Sequence, residues 1–380
     1  MSNNAPRRGH GSTVALILLF IAAVFVTTGT FYLAKSAIGN DFDFHLDFSA
    51  PTAQARSLPP ETTAAPEPTA EPQVFVISMV GDCTIASSQT ENAFDRYIDE
   101  NDYSWPFSGT VDILSQDDFT LANLECSLSD EHYRSASTFA FLGKADYAQI
   151  LSEGSVEAVT NGNNHTKDFG EGAEADSRAA VEAVDVGYIG ATEAQIFTTE
   201  RGLKIGVYCP GWGNATIPNV EQVIPALRED GADVVIFAPH WGVEGKYHQS
   251  AEQELVAHAA IDAGADIVCG THPHVLQPME EYNGGIIFYS LGNWSFGGNT
   301  APRDRDTAIA QVTITMSPDG TCTISAHEVI PCCLSSSPGV NDFRPEPYEA
   351  DSEDYERVMT KLEGTYAGRD LVVDYSFLYG

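Results

Sequence analysis

Five times along this chain a short apolar run stops and is followed at once by a side chain able to hold a metal ion or move a proton. Val74 to Val80 leads to Gly81-Asp82, and Phe119 to Leu124 carries Asn123 and delivers Glu125. Val156 to Thr160 leads to Asn161-Gly162-Asn163-Asn164-His165, and Ala232 to Ala238 to Pro239-His240. Ala265 to Cys269 leads to Gly270-Thr271-His272-Pro273-His274. Runs of about four to eight apolar residues bounded by turn residues, with helical patterns between them, describe a buried parallel sheet of an α/β protein. Ligand sites of such sheets gather at the carboxyl ends of the strands. Core packing gives no reason for oxygen and imidazole donors at five ends, so the expectation is one convergent site at the edge of a sheet sandwich.

Local chemistry refines the pattern. Period-two alternation puts Asn123 and Glu125 on one side of the chain. Pro273 fixes its own φ and should push His272 towards an extended backbone. Ser250 and Gln253 make a capping box that opens a helix through Leu255, Val256, Ala259 and Ala260, stopping at Gly264. A further helix is expected from Ala173 to Val184, and a strand over Leu203 to Cys209. Gly285 to Ser290 should form another strand, running on into Leu291-Gly292-Asn293. Ala308 to Thr315 and Thr321 to Ile330 flank the turn Pro318-Asp319-Gly320. Beyond residue 330 the chain turns acidic and Ser/Pro-rich, and Asp351 to Leu362 reads as a peripheral helix. Trp105 and Phe107 read as core.

The flanks and the charge limit the function classes. Thr13 to Ala34 carries no charged side chain and is long enough to cross a hydrocarbon layer of roughly 30 Å. Its apolar run exceeds a signal-peptide core and shows no clear small-x-small cleavage site, which favours an anchor over a cleaved leader. Arg7 and Arg8 before it and Lys35 after it keep residues 1–12 cytoplasmic and put the rest outside a single-pass membrane anchor at 13–34. Residues 35–73 are rich in Pro, Thr, Ala and Glu and read as a spacer. The 380 residues carry 54 acidic against 19 basic side chains, a net charge of -35, which argues against a nucleic-acid partner. Seven cysteines include no CxxC pair, so a zinc ribbon is excluded, and an odd count leaves at least one thiol free.

Taken together, these pieces resemble the CapA proteins of bacterial capsule and poly-γ-glutamate biosynthesis, whose fold is that of the calcineurin-like metallophosphoesterases. Gly81-Asp82, Asn123-Leu124-Glu125 and Asn163-Asn164-His165 with Asp168 and Gly170 carry the likeness. So do His240-Trp241-Gly242 with Glu244, Gly270-Thr271-His272-Pro273-His274 with Gln277, and Tyr289-Ser290-Leu291-Gly292-Asn293. The likeness spans residues 74–330, leaving 331–380 as an acidic C-terminal extension. It implies a four-layer α/β/β/α sandwich behind the N-terminal transmembrane helix. It also implies an outer-surface bacterial protein that handles an anionic polymer or its precursor beside membrane-embedded synthase or export subunits.

Carried over position by position, the resemblance implies one or two divalent ions, with manganese, zinc, iron and magnesium all open. Asp82 and His274 would hold the first, Glu125 would bridge, and Asn164, His240 and His272 would hold the second. His165 and Asp168 would be catalytic, and Asn123, Asn163, Glu244, Gln277 and Asn293 would contact substrate. Two positions depart from the phosphoesterase pattern: Thr84 stands where a histidine is usual, and Glu125 where the bridging group is usually Asp. A hydrolase-type site, a phosphoesterase and a non-catalytic polymer-binding or export subunit therefore remain as readings.

Overall fold

The strands fall into two sheets and one short ribbon. The computed structural model describes residues 71–88, 92–131 and 133–373. The first sheet is built from β1 (Gln73–Thr84), β2 (Phe119–Leu124), β5 (Ala158–Thr160), β6 (Gly187–Ile189), β13 (Asn293–Phe296), β14 (Asp306–Met316), β15 (Cys322–Cys333) and β16 (Glu346–Pro347). Its spatial order is β16-β15-β14-β1-β2-β5-β6, and β13 pairs with the end of β1. The second sheet contains β7 (Glu193–Thr198), β8 (Lys204–Cys209), β9 (Val234–Phe237), β10 (Ile267–Cys269), β11 (Met279–Tyr282) and β12 (Gly285–Phe288). Its order is β11-β12-β10-β9-β8-β7. The ribbon pairs β3 (Ser127–Leu128) with β4 (Leu142–Gly143).

The ligand-bearing strands are parallel within each sheet: β1, β2, β5 and β6 in the first, β8, β9, β10 and β12 in the second. Their carboxyl ends therefore share an edge in each sheet. Between the sheets lie Ile77, Met79 and Leu121 from one and Val207, Ile236 and Ile267 from the other, all buried. The outer face of the first sheet packs Val80, Leu124 and Val159 against helical Ile98, Ile150, Leu151 and Val181. The outer face of the second packs Val235, Val268 and Ile287 against helices Ile217–Glu229 and Ala251–Asp262. Helices thus cover both outer faces of the mixed α/β fold. Each fully buried Val, Leu or Ile contributes roughly 1.5–3 kcal/mol to holding these layers.

Beside Asp82 the two carboxyl edges are tied together by a crossing of the chain. The chain leaves β12 at Phe288 and enters the first sheet at Asn293, where Asp82 and Asn293 are paired and the Asp82 amide donates to the Gly292 carbonyl at 2.9 Å. Only a glycine at 81 permits this approach, because a Cβ there would lie 2.0 Å from the Gly292 oxygen. Gly81→Ala should therefore cost about 2 kcal/mol through backbone displacement, measured as a lowered denaturant midpoint. An unchanged midpoint would show that the crossing can move aside.

Several expected elements form with small shifts. The Ser250–Gln253 capping box is present, with Ser250 Oγ accepting from the Gln253 amide, and opens the helix Ala251–Asp262. The helix expected from Ala173 begins earlier, at Glu171, directly after Gly170 at φ 86. Phe107 is fully buried, and the Trp105 indole donates to the Asp342 carbonyl at 2.8 Å.

The C-terminal part differs from the expectation of a peripheral extension. β15 runs through residue 330 to Cys333, and β16 pairs with it. The helix Glu353–Leu362 seats Val358 and Leu362, both fully buried, in the core between the sheets. Its spacing explains this: 358, 361 and 362 share one face. All seven cysteines are free thiols, and Cys209 and Cys269 are buried. The stretch 1–12, the span expected at 13–34 and the spacer up to residue 70 lie outside the described residues. Among the described residues no helix is long and apolar enough to cross a membrane.

Candidate metal centre

Two carboxylates form the floor of the site. Asp82, at the end of β1, is completely buried. Asn123, its register partner on β2, donates to Asp82 Oδ1 at 2.8 Å, and the His272 amide donates to Oδ2 at 3.2 Å. Glu125 follows β2 and is held by its own amide, which donates to the Cys83 carbonyl at 2.9 Å. Its side chain is fully buried, yet neither carboxylate oxygen has a hydrogen-bond partner. Three imidazole nitrogens stand near its Oε1: His240 Nε2 at 3.4 Å, His274 Nε2 at 3.7 Å and His165 Nε2 at 3.9 Å.

The histidines arrive from the other sheet. His240 and Thr271 form a bridge beyond β9 and β10, and Thr271 Oγ1 lies 2.9 Å from His240 Nδ1. On its other nitrogen His240 meets Asn164 Oδ1 at 2.8 Å and His272 Nδ1 at 3.1 Å. His274 Nδ1 lies 2.8 Å from Asn293 Oδ1 and 3.3 Å from Asp82 Oδ2. The backbone of this turn is not the extended one that Pro273 predicts. His272 sits at φ 98 and His274 at φ 55. Such positive values persist for non-glycine residues only where the surroundings enforce them, and they concentrate at functional sites. Here the bonds from the His272 amide to Asp82 and from the Gly245 amide to the Pro273 carbonyl at 2.8 Å do the enforcing. His272 is buried rather than exposed, with the Trp212 ring 4.3 Å away, centroid to centroid.

Electrostatics follow this packing. Burial raises the Asp82 carboxyl, but His274, His240 and Asn123 outweigh it and hold the group below its usual range. Burial lowers the His274 imidazole, yet Glu125 and Asp82 bring it up to about 10. His272 is driven far down, by burial first and then by the neighbouring histidines. A neutral imidazole is the form that coordinates metal.

The donor set fits divalent ions. Three groups each offer ligand atoms within 4.8 Å of one another: Asp82, Glu125 and His274; Glu125, His240 and His272; and Glu244, His272 and His274. Glu125 belongs to two of them, as a bridging group would. A buried carboxylate with both oxygens unpartnered is costly unless a cation compensates it. Mixed imidazole and carboxylate donors suit first-row divalent ions. Asn164 lies against the His240/His272 pair through its 2.8 Å contact with His240. Thr84 adds no donor to the first group, because its buried hydroxyl turns to the Glu125 carbonyl at 3.4 Å.

Beside the carboxylates lies a cleft of 410 Å³, lined by Asn164, His165, Asp168, Glu244, His274 and Asn293 among others. His165 Nδ1 meets Asp168 Oδ2 at 2.7 Å, and its ring lies 5.0 Å from that of Phe141. Burial lowers the His165 imidazole, but Asp168 and Glu125 raise it overall. Three residues expected to contact substrate do not reach the cleft. Asn123 accepts from Asn163 and Thr160 while donating to Asp82. Asn163 also donates to the Leu124 carbonyl and accepts from the His165 amide. Gln277, completely buried, ties the Lys246 and His248 carbonyls to Gln253. Their polar atoms are spent on holding the site together. Glu244, expected at the substrate, also reaches ligand distance of His272 and His274. The sequence reading missed Trp212, three residues past β8, although β8 is another apolar run ending at this edge. It also missed Thr271 as the group that orients His240, and Arg303 in the cleft wall.

Comparison with known proteins supports the resemblance. The chain is 30% identical over 277 residues to the Capsule biosynthesis protein CapA of Bacillus anthracis, covering 65% of this chain and 66% of that protein. It is 30% identical over 273 residues to the PGA biosynthesis protein CapA of Bacillus subtilis, covering 66% and 69%. Among solved structures, the NAD nucleotidase NadN of Haemophilus influenzae aligns with a TM-score of 0.40 at 12% identity, over 77% of this chain and 63% of that one, too distant to bear on chemistry. Residues 76–297, from β1 to the end of β13 and therefore including every metal-site residue named above, match the family described as Bacterial capsule synthesis protein PGA_cap, and the chain belongs to that family.

Proposed function

We propose that this protein is a membrane-anchored, extracytoplasmic capsule-synthesis protein with a metal-dependent hydrolase-type site. Its substrate would be an anionic polymer such as poly-γ-glutamate, acted on during synthesis, export or attachment. The observation that carries the chemistry is Glu125, a buried carboxylate with two unpartnered oxygens ringed by His165, His240 and His274. The polymer comes from the relatives, which are named for capsule and PGA biosynthesis. The anchor at 13–34 would keep the site outside, near membrane-embedded synthase or export subunits.

Asp82, Glu125 and His274 would hold one ion, and Glu125, His240, His272 and Asn164 a second. A divalent ion supplies a hydroxide nucleophile near neutral pH and charge for a developing oxyanion. Around it the chain's own groups divide the work. Thr271 and Asn293 orient His240 and His274. Asp168 fixes the His165 ring, whose Nε2 would offer a proton to the leaving group when the imidazole is charged. Phe139, Phe141 and Phe296 line the cleft and limit water.

Full-length protein in detergent, loaded with manganese or zinc, should shorten poly-γ-glutamate, and a chelator should stop it. Binding of the polymer with no cleavage under any of the ions would favour the non-catalytic export subunit, a reading that the missing donor at Thr84 supports. Cleavage of a simple phosphomonoester in place of the polymer would favour the phosphoesterase. Protease added to intact cells should release the folded part by cutting between about residues 40 and 72. Cleavage only after lysis would overturn the topology.

A further inference from the structure

The cleft beside the metal centre does not end at its rim. A second cavity of 540 Å³ adjoins it, and Arg303 and Asp304 line both. Four carboxylates face the second cavity, and each is already matched. Asp304 and Asp306 meet Lys361 Nζ at 2.6 and 2.7 Å, Asp306 also meets Arg357 at 2.6 Å, Asp354 pairs with Arg357, and Glu346 pairs with Arg344 at 2.5 Å. In the cleft itself Asp168 is turned to His165, and Glu244 lies within 4.8 Å of ligand atoms of His272 and His274.

Two guanidinium groups stand outside this matching. Arg303 donates to the Leu371 carbonyl, and Arg305 donates to the carbonyls of Ser337 and Pro338, the latter at 2.9 Å. These partners are neutral oxygens, and among the described residues no carboxylate is paired with either guanidinium. Arg305 Nε is in addition buried with no partner. In a chain with a net charge of -35, two such arginines, two positions apart and leading away from the metal centre, run against the prevailing field. Arginine forks match carboxylates bidentately. The Leu371 amide bonds to the Gly245 carbonyl at 2.7 Å, which steadies the segment that holds Arg303 in place.

We propose that Arg303 and Arg305 form a carboxylate-binding track through which an acidic polymer chain is led to the metal centre, with Arg303 seating the carboxylate nearest the ions and Arg305 the next. The track rests on the polymer reading above. It explains how a strongly acidic protein takes an acidic ligand at this one edge. Arg303 is exposed, so its replacement leaves the fold intact, and metal content reports on the integrity of the site for either replacement.

The test uses full-length protein in detergent and a short γ-linked glutamate oligomer, with the uncharged γ-linked glutamine oligomer as control. Affinity for the glutamate oligomer should fall about tenfold for each of Arg303→Gln and Arg305→Gln. Metal content should stay unchanged, Arg303→Lys should recover part of the loss, and the difference should shrink at high salt. Equal binding of the glutamate oligomer by parent and double variant would overturn the track alone, as would equal losses for both oligomers. A parent that retains metal but binds no glutamate oligomer would overturn the track together with the polymer reading. Binding by the parent without cleavage, with the arginine dependence intact, would support the track and remove only the hydrolase.

Discussion

Glu125→Gln should abolish stabilisation of the protein by added divalent metal while leaving the metal-free fold intact. The parent carries a carboxylate that is fully buried and lacks hydrogen-bond partners on both oxygens. In the metal-free state the raised His274 imidazole compensates part of its charge. The amide is nearly the same size, so packing against the surrounding histidines survives, and Asp82, 3.3 Å from His274 Nδ1, still compensates the His274 charge once the Glu125 carboxylate is gone. What disappears is the shared anionic ligand of two donor groups. Replacing even a partner of a ligand costs about 10–100-fold in metal affinity, and replacing this shared ligand should cost at least the upper figure. At a metal concentration of about 100 times the parent's dissociation constant, the parent gains about 2.7 kcal/mol and the variant a few tenths. Melting curves with and without manganese or zinc read the difference directly. Equal metal-induced shifts in parent and variant would show that Glu125 holds no ion.

Lys361→Met should destabilise the folded part by about 3–5 kcal/mol, the range for removing one partner of a buried ion pair. Lys361 is 2% exposed and lies on the helix Glu353–Leu362 with its ammonium against Asp304 and Asp306. Methionine preserves much of the stem but leaves Asp304 without its cation, while Asp306 keeps Arg357 and the Tyr348 hydroxyl. Adding Asp304→Asn to Lys361→Met should recover part of the loss, because the stranded charge goes with it. The readout is the denaturant midpoint of each variant. A loss below about 1 kcal/mol would mean that water reaches the pair and screens it. The same experiment tests whether the last helix is part of the core, since Val358 and Leu362 dock beside the network.

The strands that bear the site were legible because each is short, apolar and punctuated by glycine or proline. The helix at 251 was legible because its capping box is a local hydrogen-bond pattern. The C-terminal helix was placed in sequence but not in space, because its polar exposed face masks a buried stripe of three residues. The His-Pro-His turn misled in its backbone: a proline biases the residue before it, and a tertiary bond to Asp82 overrides that bias. Asn123, Asn163 and Gln277 hold neighbouring groups in the fold, a use that sequence does not separate from substrate contact, since an amide beside a ligand is equally suited to either.

The sequence by itself determined which residue types stand at the strand ends, and hence that oxygen and imidazole donors gather at a sheet edge. Alternation and strand ends are short-range features, written within a few residues. Only the tertiary structure decided which donors share an ion-sized space, because Asp82 and Glu125 come from one sheet and His240, His272 and His274 follow strands of the other. Beside Asp82 that meeting is fixed by the crossing at Gly81 and Gly292, where two backbones approach more closely than any side chain permits. The same long-range packing left Glu125 without hydrogen-bond partners and, among the described residues, two arginines without a paired carboxylate. Burial and charge compensation are sums over neighbours from distant parts of the chain, and no local pattern encodes them.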